Sequence, residues 1–182
     1  MFPGKTLSAL AFASYRGDSS LVYHELAIVV AVVMHGDRPY AWAPQLYVDA
    51  PASVAGGRAI WGVHKTLATF ERTRSYARGS VTVRVDGREI ATLVASAAGP
   101  TLPLRAPLGA LGMRDESVLP FAMAARARVR LARANVALAT DSPFRAAFER
   151  RSLLALRLDD LALEVAAPGG FHPMTGASRE RR

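Results

Sequence analysis

Val81-Thr82-Val83-Arg84-Val85-Asp86-Gly87-Arg88-Glu89-Ile90-Ala91-Thr92-Leu93-Val94 sets apolar side chains at alternate positions on both sides of an Asp-Gly pair. Alternation at period two marks a strand with one buried face, and Asp-Gly tolerates the positive φ of a type I′ turn, so the stretch reads as a β-hairpin. The same pattern, rich in β-branched residues and bounded by turn residues, recurs over residues 7–14, 21–34, 42–49, 125–139 and 153–166. The expected fold class is therefore mainly β.

Helix has a small share. Ser142-Pro143 opens 142–150 with a capping hydroxyl and a proline at the first helical position, and a second short helix is expected near 52–55. The stretch 99–112, with Pro100, Pro103 and Pro107 among Gly99, Gly109 and Gly112, reads as a long loop, a lid or a subunit contact. The charged tail 178–182 is expected to fray.

One domain over residues 1–182 is the simplest organisation, because 182 residues that are 51% apolar can bury a core without metal or disulfide support. No internal repeat is visible. Cysteine is absent, which excludes thiol catalysis and thiolate metal sites. The four histidines, His24, His35, His64 and His172, lack ligand spacing, so no metal is expected. The longest apolar run, 26–34, has nine residues against the roughly 20 that cross a bilayer. The apolar segment 7–13 reads as a first strand rather than a signal peptide, and the cytoplasm is the default location.

The net charge is +8, yet the arginines are scattered rather than gathered in a nucleic-acid motif, so no nucleic-acid partner is expected. Arg126, Arg128 and Arg130 alternate with Ala127, Val129 and Leu131 and should line one face of a strand, either solvated or meeting an acidic partner. Lysine is scarce: the chain has two lysines against 21 arginines, and Lys65 sits in an apolar, glycine-rich segment. A guanidinium does not deprotonate in a protein, whereas a lysine moved out of water can become a neutral amine nucleophile. A surface lysine and a codon bias are the competing explanations.

The segments Leu21-Val22-Tyr23-His24-Glu25-Leu26, Tyr40-Ala41-Trp42-Ala43-Pro44-Gln45-Leu46-Tyr47-Val48-Asp49 and Gly57-Arg58-Ala59-Ile60-Trp61-Gly62-Val63-His64-Lys65 resemble, in order and spacing, the signature of the acetoacetate decarboxylase family. The resemblance implies a closed antiparallel β-barrel or cone with an interior active site, a homo-oligomer, and a small oxo acid as substrate, with no cofactor. It implies that Lys65 forms a Schiff base and that Glu25 is the active-site carboxylate. Arg58, His64, Tyr23 and Trp61, from the same segments, are the expected substrate-binding side chains.

The chain also departs from that pattern. Thr66 stands where the family has a second lysine, His64 where it has a proline and Ala59 where it has an acid. Its upstream arginine and glutamate have no counterpart, the region being Ser8-Ala9-Leu10-Ala11. Three functions are carried forward: decarboxylation, an aldolase or dehydratase reaction through the same imine, and a catalytically silent ligand-binding barrel.

Overall fold

The computed structural model describes residues 6–74, 78–148 and 153–169. In chain order the strands are β1 (Ala9–Tyr15), β2 (Tyr23–Val29), β3 (Ala31–His35), β4 (Arg38–Trp42), β5 (Gln45–Val48) and β6 (Lys65–Leu67). There follow β7 (Thr69–Arg74), β8 (Arg78–Val85), β9 (Arg88–Ala97), β10 (Leu102–Arg114), β11 (Ser117–Leu138) and β12 (Ala155–Val165). Helix α1 (Pro51–Gly56) and a π-helical turn (Gly57–Trp61) lie between β5 and β6, and α2 (Arg145–Phe148) precedes β12. None of the described helices is long and apolar enough to cross a membrane.

Two sheets result. The smaller has the order β1-β2-β5-β6; the larger runs β3-β4-β10-β11-β9-β8-β7, with β12 beside β11. Pairing sets Glu25 opposite Val48, Ala27 opposite Leu46, and Leu46 beside Lys65. Alternation then puts Tyr15, Tyr23, Glu25, Ala27, Leu46 and Lys65 on one face of the small sheet, and Phe12, His24, Leu26, Tyr47 and Thr66 on the other. Leu26 packs into a core with Val81, Val83 and Ala91 of β8 and β9, while Leu46 packs into a second core with Val63, Ala110 and Phe121. The large sheet thus curls round the small one and covers both of its faces, as the native right-handed twist allows.

The Asp-Gly hairpin forms as read: Asp86 and Gly87 have φ of 50° and 78°, and β8 pairs with β9 antiparallel. The expected closed antiparallel barrel is not formed by the described ladders. Both sheets have unpaired ends, β1 and β6 in one and β3 and β7 in the other, and two ladders, β5 with β6 and β4 with β10, are parallel. The β5–β6 ladder is parallel because α1 and the π turn carry the chain back before it re-enters the sheet.

Two expected strands are divided. The stretch 21–34 leaves the small sheet at Val30, whose N–H donates to Trp42 O at 3.0 Å, and continues as β3 of the large sheet. The stretch 42–49 breaks at Ala43-Pro44.

The expected loop 99–112 is instead β10, paired with β11 from Leu102 to Arg114. Its prolines hide the alternation Leu102, Leu104, Ala106, Leu108, Ala110. Pro103 and Pro107 share one parity, and β4 joins the other edge of β10 only at Ala110 and Leu111, so the missing N–H groups fall on an open edge. Within the expected helix 142–150, α2 occupies the middle and Ser142 Oγ accepts from Phe144 N at 3.3 Å; residues 149–150, like the tail 178–182, lie outside the described residues.

The basic stripe on β11 meets acids of its own chain. Arg126 bonds Glu164 at 2.7 Å, Arg130 pairs with Asp159 at 2.9 Å, and Arg128 lies 3.9 Å from Asp160. Ala125 and Ala127 are buried behind them, as the alternation requires.

Leu26, 0% exposed, lies at the junction of the two sheets. Leu26→Ala is expected to lower the unfolding free energy by about 2–5 kcal/mol, measured by urea denaturation, since the packed sheets cannot fully close the cavity.

Candidate active site

The segment between β5 and β6 shapes the site. Pro51 starts α1 at a position where its missing N–H costs nothing, and after Gly56 the helix widens into the π turn, with Gly62 N–H and Val63 N–H both donating to Gly57 O. Gly62 ends the turn at φ 64°, where a Cβ would lie 2.5 Å from Met113 O; the Met113 N–H in turn donates to Gly62 O at 2.8 Å. Gly112 of β10 is also obligatory, because a side chain there would run into the Trp61 carbonyl. The turn is thereby stapled to β10, and the chain leaves it at a fixed angle into Lys65.

Lys65 is 8% exposed. Its Nζ donates to Glu25 Oε2 at 2.7 Å and to Ser53 Oγ at 3.0 Å, and lies 5.4 Å from the centroid of the Tyr23 ring. The aliphatic stem runs across Gly57, where a Cβ would sit 2.8 Å from both Cδ and Cε. Gly57 is therefore needed for the lysine to reach Glu25 by this path.

Tyr23 Oη donates to the same Glu25 oxygen at 3.3 Å, and the Tyr15 ring stacks on the Tyr23 ring with centroids 4.6 Å apart. Burial, and then the negative charge of Glu25, pushes the Tyr23 hydroxyl up to about 12, and the same two causes raise Tyr15. Both phenols are therefore neutral hydrogen-bond donors at physiological pH. Removing two opposite charges from water costs several kcal/mol per ion, so a pair this well buried is weak as a stabilising device. Its chemical content is an amine beside a base, ringed by hydroxyls.

Of the side chains expected from the sequence, Lys65, Glu25 and Tyr23 meet. The others do not reach the amine. Arg58 Nη2 donates to the Lys65 carbonyl at 3.0 Å and so holds the backbone of β6. His64 Nδ1 lies 2.7 Å from Gln45 Oε1, and Gln45 Nε2 donates to Thr66 Oγ1 at 3.0 Å, which puts His64 and Thr66 on the face opposite Lys65. Trp61 donates from Nε1 to Ala166 O at 2.9 Å and packs against the Leu46 core.

Sequence reasoning missed Ser53 and Tyr15. Tyr15 was open to discovery, since it and Tyr23 face each other across β1 and β2. On the other face of β2, His24 Nδ1 bonds Asp49 Oδ2 at 2.6 Å and Arg72 Nη1 meets His24 Nε2 at 2.7 Å. Arginine only donates, so Nε2 accepts and the His24 proton is on Nδ1. Arg72 Nη1 also donates to Ser14 Oγ of β1 at 3.4 Å, so the network ties β1, β2, β7 and the residue that follows β5 together directly behind Glu25. Among the described residues no group of three or more His, Asp or Glu side chains is placed to hold a metal ion.

A mainly β fold with a buried lysine–glutamate pair at the junction of its sheets is the class this geometry defines. The sequence matches the acetoacetate decarboxylase (ADC) family over residues 2–136, and the chain belongs to that family. A search of curated proteins finds no match.

Solved structures with a similar fold include acetoacetate decarboxylase from Legionella pneumophila subsp. pneumophila str. Philadelphia 1, at 15% identity and a TM-score of 0.56, covering 82% of this chain and 66% of that one. An acetoacetate decarboxylase-like enzyme from Sphingomonas wittichii RW1 matches at 15% identity and a TM-score of 0.57, covering 82% and 68%. The enduracididine biosynthesis enzyme MppR, complexed with pyruvate, matches at 15% identity and a TM-score of 0.51, covering 79% and 61%. The chain thus spans about two thirds of the length of these proteins or slightly less.

The raised Tyr23 hydroxyl predicts an alkaline weakness. Between its ordinary value of 10.0 and about 12, the unfolded chain loses a proton that the folded chain retains. Stability must therefore fall as pH rises through that window. Tyr23→Phe is expected to reduce this slope, read as urea midpoints at pH 9 and pH 11 for both proteins.

Proposed function

We propose that this protein is a Schiff-base-forming lyase acting on a small β-oxo acid, with decarboxylation of an acetoacetate-like substrate through Lys65 as its reaction. The observation that carries this reading is the buried Nζ of Lys65, 2.7 Å from the Glu25 carboxylate, in a chain of the acetoacetate decarboxylase family.

Lys65 gives a proton to Glu25, and the neutral amine attacks the ketone carbon. The carbinolamine oxygen takes one proton from the nitrogen and one back from Glu25 and leaves as water, which leaves an iminium. The bond to the carboxylate carbon then breaks, carbon dioxide departs, and the electron pair moves into the iminium to form an enamine. Glu25, ionised again once the water has left, takes a proton from solvent and is placed to deliver it to the enamine carbon. Hydrolysis releases the ketone and restores Lys65.

The second lysine of the family pattern is Thr66, turned toward Gln45, so no cation follows Lys65 into the site. The neutral hydroxyls of Ser53, Tyr23 and Tyr15 round the amine also suit an aldolase or dehydratase reaction through the same imine, and this is the second reading. A barrel that binds a small ligand without chemistry is the third. The proposal includes a homo-oligomer: Leu102, Leu131, Leu156 and Leu158 are 63%, 67%, 48% and 42% exposed and lie on one face of the β10–β11–β12 ribbon, the kind of apolar surface a second copy covers.

Carbon dioxide release from acetoacetate and a panel of β-oxo acids tests the reading. Lys65→Arg keeps the charge but has no nucleophile, so turnover is expected to vanish while the circular dichroism spectrum is unchanged. Glu25→Gln is expected to slow turnover by about 10²–10⁴-fold. Wild-type turnover in Lys65→Arg would contradict the mechanism.

A further inference from the structure

We propose that a cavity on the face of the small sheet opposite Lys65 binds a small apolar α-amino acid as its zwitterion. The proposal does not depend on the Schiff-base reading, because Ile28 and Tyr47 bring the small sheet to this cavity by the face that Lys65 does not share.

The cavity opens where the two sheets meet, between β2 and β5 on one side and the start of β9 and the end of β11 on the other. Ile28 and Ala91, 2% and 1% exposed, line it together with Ile90 and Leu138. Its volume is about 150 Å³. An apolar space of that size holds a benzene molecule, so the side chain of leucine fits with its charged groups left at the mouth. The chain leaving β11 is held along one side of the opening, since Ala139 N–H donates to Ile90 O and Ser142 N–H to Ala139 O, both at 3.0 Å.

Two hydroxyls on the lining have hydrogens without an acceptor among the described residues. Ser142 Oγ only accepts, from Phe144 N, and Tyr47 Oη makes no hydrogen bond. Burial raises Tyr47, so its phenol keeps that hydrogen at physiological pH.

Arg88 and Asp141 line the same cavity and bond each other through Nη2 and Oδ2. Their side chains are 66% and 53% exposed, and an ion pair so exposed contributes little to folding, so opening it costs little. A ligand with one charge gains nothing from that opening. A carboxylate that took Arg88 would stand beside the Asp141 carboxylate, and an ammonium that took Asp141 would stand beside the Arg88 guanidinium. A zwitterion replaces the one ion pair with two, and the hydroxyls of Tyr47 and Ser142 remain to donate to its carboxylate. Its side chain must be apolar, because a polar one would lose its hydration against Ile28, Ile90 and Leu138 without gaining a partner.

The test is titration of the folded protein with L-leucine by isothermal calorimetry, beside isocaproate, which lacks the ammonium, and isoamylamine, which lacks the carboxylate. Leucine is expected to bind saturably, and each analogue about tenfold more weakly or worse, the worth of one hydrogen bond to a charged group. Arg88→Gln and Asp141→Asn change exposed side chains and should fold as the wild type does, which circular dichroism checks. Each is expected to weaken leucine by the same factor. Ala139→Leu, which fills the cavity and leaves both charges in place, is expected to abolish binding.

No saturable binding of leucine, or binding of isocaproate or isoamylamine as tight as that of leucine, would overturn the proposal. Undiminished leucine binding in folded Arg88→Gln, Asp141→Asn or Ala139→Leu would overturn it equally. Should Ala139→Leu not fold, the two exposed variants and the two analogues decide the matter without it.

Discussion

The contact between Lys65 Nζ and Glu25 Oε2, 2.7 Å long and formed by side chains only 11% and 12% exposed, is the constraint to which the surrounding structure conforms. Two charges at that depth lose hydration that their attraction repays only with good geometry and further hydrogen bonds. The protein supplies these with Ser53 and Tyr23, one from the crossover helix and one from the same strand as the carboxylate. Little of this arrangement is needed to hold a β fold together. The cores around Leu26 and Leu46 do that without any charge.

Backbone architecture is what permits the contact. Glu25 and Lys65 come from β2 and β6, which are separated in the small sheet by β5, so the lysine must cross the strand between them. A long flexible side chain spans that gap only if its stem has a clear path. Gly57 leaves the path open, and the π turn sets Gly57 against the stem. The close packing of Gly62 and Gly112 against Met113 and Trp61 holds the turn to the large sheet, while Arg58 holds the Lys65 carbonyl. Behind Glu25, the His24–Asp49–Arg72 network fixes the other strand. Both partners of the ion pair are thus positioned by groups that never touch it.

Local rules carried the parts of this fold that depend on local rules. The Asp86-Gly87 hairpin was legible because both residues need the positive φ that their side chains tolerate. The arginine stripe of β11 was legible because alternation alone assigns its face. Lys65, Glu25 and Tyr23 were legible from the spacing of the family motif and from the scarcity of lysine. What failed depended on pairing partners. Pro103 and Pro107 suggest a loop until β10 is known to have an open edge, and the division at Val30 is decided by Trp42, a residue from another strand. His64 adjoins Lys65 in sequence, yet it lies just before β6 and turns to Gln45 on the opposite face. Ser53 carried no signal of its own in an alanine-rich turn, because its partner, Lys65, arrives from a separate strand.

Reduction with borohydride in the presence of acetoacetate and other small oxo acids, followed by intact mass and peptide mapping, bears most directly on the claim that this buried amine is a nucleophile. The account predicts one covalent adduct, located on Lys65. Folded protein that yields no adduct on Lys65 with any of these compounds would contradict it.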